Sequence, residues 1–224
     1  MRFISKSALG ALVAVVVMSV VGAVSASAAL PEFKGTFPTR FEARGSAPLF
    51  QGKTSMWQYH AGVSITGTIT GAKTLEKVTI AFSNEGFENE GTGWGSDCDT
   101  EGKKLVFSGL GASLGYIKKE KATIVGLRFA PSTQPLAKCT DYLSNKLEYT
   151  GGLIVPIGPI NTKTTKFTLK FSQHEGKNEY RSLEGETKLT PFTLSNSTKS
   201  LEQEVGIENG ETTLDVEKAI EIAA

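Results

Sequence analysis

Two cysteines and two histidines are all that this 224-residue chain holds of the side chains that do most metal and nucleophilic chemistry. Neither cysteine has a His or Cys neighbour at zinc-ligand spacing, which excludes the common structural zinc sites. The histidines, His60 and His174, stand beside strand-like and turn-like residues and form no His-x-x-x-His pair. A Walker loop and a dinucleotide fingerprint are also missing, so no phosphate cradle is legible. Charge of one sign is lacking too. There are 24 basic and 23 acidic side chains, a formal net charge of +1. A chain so near neutrality has no basic face for general nucleic-acid binding, and it is not the highly charged chain of a disordered protein. Beyond the first thirty residues no apolar run reaches the length of a membrane span.

The opening segment has the features of an export signal. Arg2 and Lys6 give a positive start, and Ser7 to Leu30 is an uncharged stretch with Leu9 to Val24 as its apolar centre. Ala26-Ser27-Ala28 has the small-x-small pattern that precedes a cut, which predicts a signal over 1–28 and a mature chain over 29–224. An uncleaved anchor of that length would span a bilayer; the small residues at its end favour cleavage. No cysteine follows the run to carry a bacterial lipid anchor. The mature chain, with 22 basic and 23 acidic residues, is expected to be soluble and secreted. In an oxidising space Cys98 and Cys139 are expected to form one disulfide rather than stay as two thiols. Closing such a loop contributes roughly 4 kcal/mol in the chain-entropy model.

Glycine and threonine dominate the rest, 22 and 24 residues over 29–224. Both weaken helices, and threonine favours strands. Alternation of apolar and polar residues is the stronger signal. Val63, Ile65 and Ile69 share one face against Ser64, Thr66, Thr68 and Thr70. The same pattern recurs at Val78, Ile80 and Phe82, at Leu105 and Phe107, at Val125, Leu127 and Phe129, and at Phe167, Leu169 and Phe171. Gly71-Ala72-Lys73, Ala130-Pro131-Ser132, Gly151-Gly152 and Asn209-Gly210 read as turns. Leu30 to Ala43 reads as an extended N-terminus. Leu214, Val216, Ile220 and Ile222 favour a terminal strand over a short helix. The expected fold is all-β, a single-domain β-sandwich or barrel of about ten to twelve mostly antiparallel strands.

Several phrases in order carry a resemblance. They are Ala29-Leu30-Pro31-Glu32-Phe33, then Gly67 to Gly71, then Val78 to Phe82. Gly109-Leu110-Gly111, Leu114 to Ile117, Val125 to Leu127 and the tail Glu211 to Ile222 follow. Together they resemble a family of uncharacterised secreted all-β proteins found in many copies in soil actinobacterial genomes. The resemblance spans essentially the whole chain. It implies an extracellular all-β domain and no particular activity. Members often carry four cysteines; the two here correspond to the later pair, and the position after Val78 to Phe82 holds Ser83-Asn84-Glu85-Gly86 where Gly-Cys is common.

The densest chemistry lies between Asn84 and Gly102. Glu85, Glu88, Glu90, Asp97, Asp99 and Glu101 occur there with five glycines, Trp94 and no basic residue. Such a segment has enough oxygens for calcium, with Glu85, Glu88, Glu90, Asp97 and Asp99 as ligands, but not the spacing of an EF-hand. The plainer expectation is a solvated acidic loop. Paired carboxylates there would also suit a glycosidase, although no separation between them is set. Trp57, Tyr59 and Trp94 are sparse large rings near loops that would stack on sugars, or else serve the core. The hydroxyl row Ser64, Thr66, Thr68 and Thr70 reads as a solvated strand face, and Asn196-Ser197-Thr198 as a glycosylation acceptor that a bacterial source would leave idle.

The expected function is a secreted, non-enzymatic extracellular or cell-envelope-associated β domain, structural or ligand-binding. The alternative is a secreted polysaccharide-acting hydrolase or a carbohydrate-binding module. No cofactor is expected beyond calcium. The expected partners are a cell-wall glycan or further copies of the chain, joined through the terminal strand Leu214 to Ile222. They include no nucleic acid, and no membrane once the signal is removed. Intact mass of the exported chain should give Ala29 as its first residue; a mass that retains residues 1–28 would refute the cleavage.

Overall fold

In the computed structural model the described residues are 30–45, 49–52, 58–87, 97–98, 104–119, 122–134, 136–140, 146–171, 177–196, 202–208 and 210–224, with backbone alone at some strand ends. Alternating residues there form fifteen strands. They are β1 (Glu32–Lys34), β2 (Thr39–Gly45), β3 (Leu49–Gly52), β4 (Gln58–Ile69), β5 (Thr74–Phe87), β6 (Asp97–Cys98), β7 (Lys104–Lys119) and β8 (Ala122–Pro131). The rest are β9 (Ala137–Thr140), β10 (Lys146–Thr150), β11 (Leu153–Gly158), β12 (Thr164–Phe171), β13 (Thr193–Asn196), β14 (Glu202–Glu208) and β15 (Gly210–Ala223). Ten have five or more residues, in line with the expected all-β fold. The other five, β1, β3, β6, β9 and β13, have two to four residues, too few for alternation to register.

Eight strands close a barrel. β2, β4, β5, β7, β8, β11, β12 and β15 pair antiparallel in chain order, and β15 returns to pair with β2 through Thr213↔Arg44, Leu214↔Ala43, Asp215↔Glu42 and Val216↔Phe41. An eight-stranded barrel has an interior just wide enough for side chains to fill. Here Phe41, Ile65, Ile80, Leu114, Leu127, Val155, Phe167, Leu169 and Leu214 fill it, all at most 4% exposed. The outward positions are polar, among them Glu42, Arg44, Lys166, Lys170, Glu211 and Asp215. A lipid-facing barrel carries the opposite pattern.

Long staves keep their apolar side inward by shifting phase at bulges. In β5 the pairing with β7 slips between Leu75 and Val78, and Lys77 takes a positive φ of 53°. Leu75 and Val78 therefore both point to the core, at 2% and 0% exposure. In β7 the shift from Phe107 to Leu110 falls at Gly109, with φ 69°. In β15 three exposed residues, Glu217 to Ala219, separate buried Val216 from buried Ile220.

One of the four expected turns differs. Ala130 and Pro131 remain in β8, opposite Gly111 and Leu110, and the chain bends at Ser132, whose N–H and hydroxyl both bond the Gly109 carbonyl. β14 ends at Glu208 and β15 begins at Gly210, and the two pair elsewhere, β14 with β3 and β13 and β15 with β12 and β2; Asn209 lies outside the described residues. Gly71-Ala72-Lys73 does join β4 to β5, closed by Thr70 N–H to the Thr74 carbonyl at 3.0 Å. Gly151 has φ 86°, and a Cβ there would lie 1.9 Å from the Pro191 carbonyl oxygen, so only glycine fits. The terminal segment is a strand, as alternation indicated. However, both its edges are used within the chain, by β12 on one side and by β1 and β2 on the other. That corrects the expectation that Leu214 to Ile222 offers a free edge to a second copy.

The two ends of the barrel differ. Short connections, 70–73, 120–121 and 159–163, lie at one end. Phe33 of β1 is buried there, with its N–H on the Ala72 carbonyl at 2.6 Å. Connections 46–57, 88–103, 132–152 and 172–209 all leave the other end, and they carry β3, β6, β9, β10, β13 and β14. These six strands form a second sheet in the order β3-β14-β13-β10-β9-β6, joined to the barrel through β3 and β4. An aromatic cluster welds the two. Phe107 of the barrel lies 5.7 Å from Phe82, 5.5 Å from Tyr149 in β10 and 5.3 Å from Phe192 before β13, centroid to centroid. Phe107→Ala should therefore lower unfolding free energy by about 3–5 kcal/mol. Denaturant titration checks this; a loss below about 1 kcal/mol would show that the cluster is not a weld.

Candidate functional site

The residues singled out by sequence belong to the connections that leave the insertion end, or to the strands at their ends. Trp57 belongs to the 46–57 connection, and Glu88, Glu90, Trp94 and Asp99 to 88–103; these five lie outside the described residues. Tyr59 is the second residue of β4 and stands opposite Phe50 on one side and Phe87 on the other. Glu85 lies in the last turn-ward part of β5, on the strand that neighbours Tyr59. Asp97 and Cys98 make up β6. In its pairing with β9, Asp97 faces Thr140 and Cys98 faces Cys139. Directly opposed residues of an antiparallel pair have Cα atoms about 4.5–5.5 Å apart. That falls inside the span of about 4.4–6.8 Å that a disulfide bridges. Among the described residues no three of His, Cys, Asp and Glu gather as a metal site.

Side-chain geometry is fixed most firmly in a strap, residues 177–192, that crosses the outer wall of β7, β8 and β11. Ile117 and Ile154 break the polar rule of that wall, at 1% and 2% exposure, and Leu183 and Leu189 cover them. Gly115 lets the strap approach the wall, since a Cβ there would meet Leu183 at 2.7 Å, and Gly126 makes room within the wall for Ile117 and Ile154. Backbone bonds run from Glu184 N–H to the Tyr116 carbonyl and from Gly152 N–H to the Thr190 carbonyl. At the strap's tip Glu186 accepts from Arg128 at 2.9 Å and from the Ser113 hydroxyl at 3.4 Å. At its root Glu204 of β14 accepts from the Asn178 N–H at 2.5 Å, Asn178 Nδ2 at 2.9 Å and Arg181 at 2.6 Å. Partial burial pushes the Glu204 carboxyl upward, but the Asn178 and Arg181 bonds outweigh it and hold the group below the usual carboxylate range.

Neither carboxylate was legible beforehand, because partners 58 and 26 residues away leave no local pattern. Gly111-Ala112-Ser113-Leu114-Gly115 has the letters of a hydrolase nucleophile elbow. The structure gives it no such role. It runs straight along β7, paired with β8, whereas an elbow needs a sharp strand-to-helix turn. A shallow furrow of about 530 Å³ crosses the barrel seam, lined by Arg40, Glu42, Thr66, Thr68, Asp215 and Glu217. Two of its four charged residues are matched within the wall, Glu42 by Arg44 at 2.6 Å and Asp215 by Lys166 at 3.3 Å. Comparison with protein-family models, curated proteins and solved structures finds no match for this chain.

The depressed carboxyl of Glu204 ties stability to pH. Its contribution is present above the ordinary carboxylate pKa and is lost as pH falls through the lowered value in the folded state. Glu204→Ala should cost about 2 kcal/mol at neutral pH, the range for bonds to a charged group. Glu204→Gln should flatten the acid limb of melting temperature against pH; an unchanged limb would mean that the strap's root does not couple to folding.

Proposed function

We propose that this protein is a secreted, non-enzymatic extracellular domain in which a rigid barrel presents a binding face at its insertion end. The observation that carries this reading is topological. Every long connection leaves one end of the barrel, and those connections hold most of the acidic segment, both tryptophans and both cysteines. Binding residues concentrate on loops held by a rigid scaffold. A Cys98–Cys139 disulfide, supported by their opposed register, would staple that face. The export reading rests on residues 1–28.

Sparse rings beside carboxylates suit a polysaccharide of the cell envelope, with Trp94 and Trp57 stacking and acids or amides taking hydroxyls. Calcium among Glu85, Glu88, Glu90, Asp97 and Asp99 rests on ligand count alone. The hydrolase alternative draws no support from Glu186 or Glu204, since each is tied to an arginine.

Retention of the full mature chain on insoluble cell-wall glycan tests the binding reading. Trp94→Ala should weaken retention about tenfold, the loss of one stacked ring. A chain that passes through the glycan unretained would defeat the reading. Glycan turnover that disappears in Asp97→Asn with an unchanged melting temperature would favour the hydrolase instead.

A further inference from the structure

Beside the strap the outer wall carries a second polar feature. Residues of β5, β7 and β8 border a furrow of about 360 Å³, open to solvent, with Thr74 and Glu76 on one side and Arg128 and Pro131 on the other. Gly111, Ala112 and Ala130 line it with nothing longer than a methyl group, and Ser113 adds a hydroxyl. That volume suits one sugar-sized or amino-acid-sized group. Arg128 stands where furrow and strap meet. Gly185, with φ 78°, takes the third position of the turn from Leu183 to Glu186, which Glu186 N–H closes on the Leu183 carbonyl at 3.1 Å. The turn sets the Glu186 carboxylate on Arg128 at 2.9 Å and on the Ser113 hydroxyl at 3.4 Å.

A guanidinium has a fork of N–H donors matched to a carboxylate. Here Glu186 accepts from Nη1, and Nε is buried with no partner. A buried donor left unpaired in a native structure calls for an explanation. The furrow offers one: Arg128 completes its pairing only on turning toward a ligand. The strap shows what Arg128 and Ser113 accept, namely a carboxylate. Across β7, Glu76 is exposed and in no ion pair among the described residues, so it is free to accept from hydroxyls. Two strand spacings, about 10 Å, separate β5 from β8, room for one sugar ring bonded on both sides. A group with a carboxylate at one end and hydroxyls at the other is a uronic acid. An open furrow does not enclose a free small molecule, but it admits one residue of a polymer whose neighbours run past both ends. We propose that this furrow is a second subsite that takes one uronic acid residue of an acidic polysaccharide. Arg128 and Ser113 bond its carboxylate, and Glu76 accepts from its hydroxyls. Glu186 is the tethered stand-in that holds Arg128 in the free chain and competes with the ligand. The subsite shares the glycan class with the reading above but none of its residues.

Isothermal titration calorimetry of the full mature chain tests it, with a galacturonic acid oligomer as probe and the same oligomer methyl-esterified as control. The acid should bind and the ester should not. Arg128→Gln should weaken binding about tenfold or more, the loss of charge-assisted bonds. Glu186→Gln should tighten it several-fold, because the amide oxygen still accepts from Arg128 but no longer repels the ligand. If Arg128→Gln does not fold, Gly111→Val takes its place. A Cβ there meets nothing closer than the Ala130 carbonyl oxygen at 3.9 Å, so the fold accepts it while the furrow fills, and binding should be lost. No binding of the acid, equal binding of the ester, or binding that survives Arg128→Gln or Gly111→Val overturns the proposal. Uronate binding lost in Trp94→Ala but kept in Arg128→Gln would place the glycan at the insertion end; this inference then falls and the reading above stands. A chain that ignores cell-wall glycan yet binds the acid through Arg128 gives the reverse outcome.

Discussion

Pairing of β15 with β2 is the contact on which the rest of the molecule depends. Four opposed residue pairs join the last stave to the first and turn an open ladder into a closed wall. Without it, the inward residues of all eight staves would line one side of a flat sheet, and apolar residues such as Ile65, Leu127 and Leu169 would face water. With it, they enclose one another and are wholly buried. The apolar area removed from water scales with that enclosure, so closure and core are one event.

Closure with an even number of antiparallel staves also sorts the connections. Alternate connections must return at the same end. Three tight links gather at one end, where Phe33 is buried, and four long ones at the other. A second sheet grew from the long ones without disturbing the wall. The second sheet is not an independent domain, because Tyr149 and Phe192 share the ring cluster of Phe107 with the barrel. The barrel thereby fixes where variable segments emerge and shares its core with the sheet that frames them.

The strap shows how a local exception is repaired. Ile117 and Ile154 face outward on an otherwise polar wall, and an uncovered apolar patch there would favour association. Leu183 and Leu189 cover it, and ion pairs at tip and root orient the cover. Ion pairs at such part-buried positions contribute more than those on the open wall, where solvent screens Lys170 on Glu211 and Lys166 on Asp215. Orientation of the strap, rather than catalysis, accounts for these carboxylates.

Much of this was legible in the chain itself. Alternation at Val63 to Ile69, Val78 to Phe82 and Leu214 to Ile222 named the inner face of three staves, because side chains in a strand repeat every two residues whatever the strand pairs with. The turn at Gly71 was readable for the same local reason. What tertiary structure alone decided is which strands are neighbours. Pairing joins residues far apart in sequence, so barrel rather than sandwich and the bonds of Glu204 and Glu186 had no local signature. The facing of Cys98 and Cys139 is of both kinds. Composition determined that there are two cysteines to join, and the register between β6 and β9, set by strands contributed by separate connections, decided that they stand opposite each other.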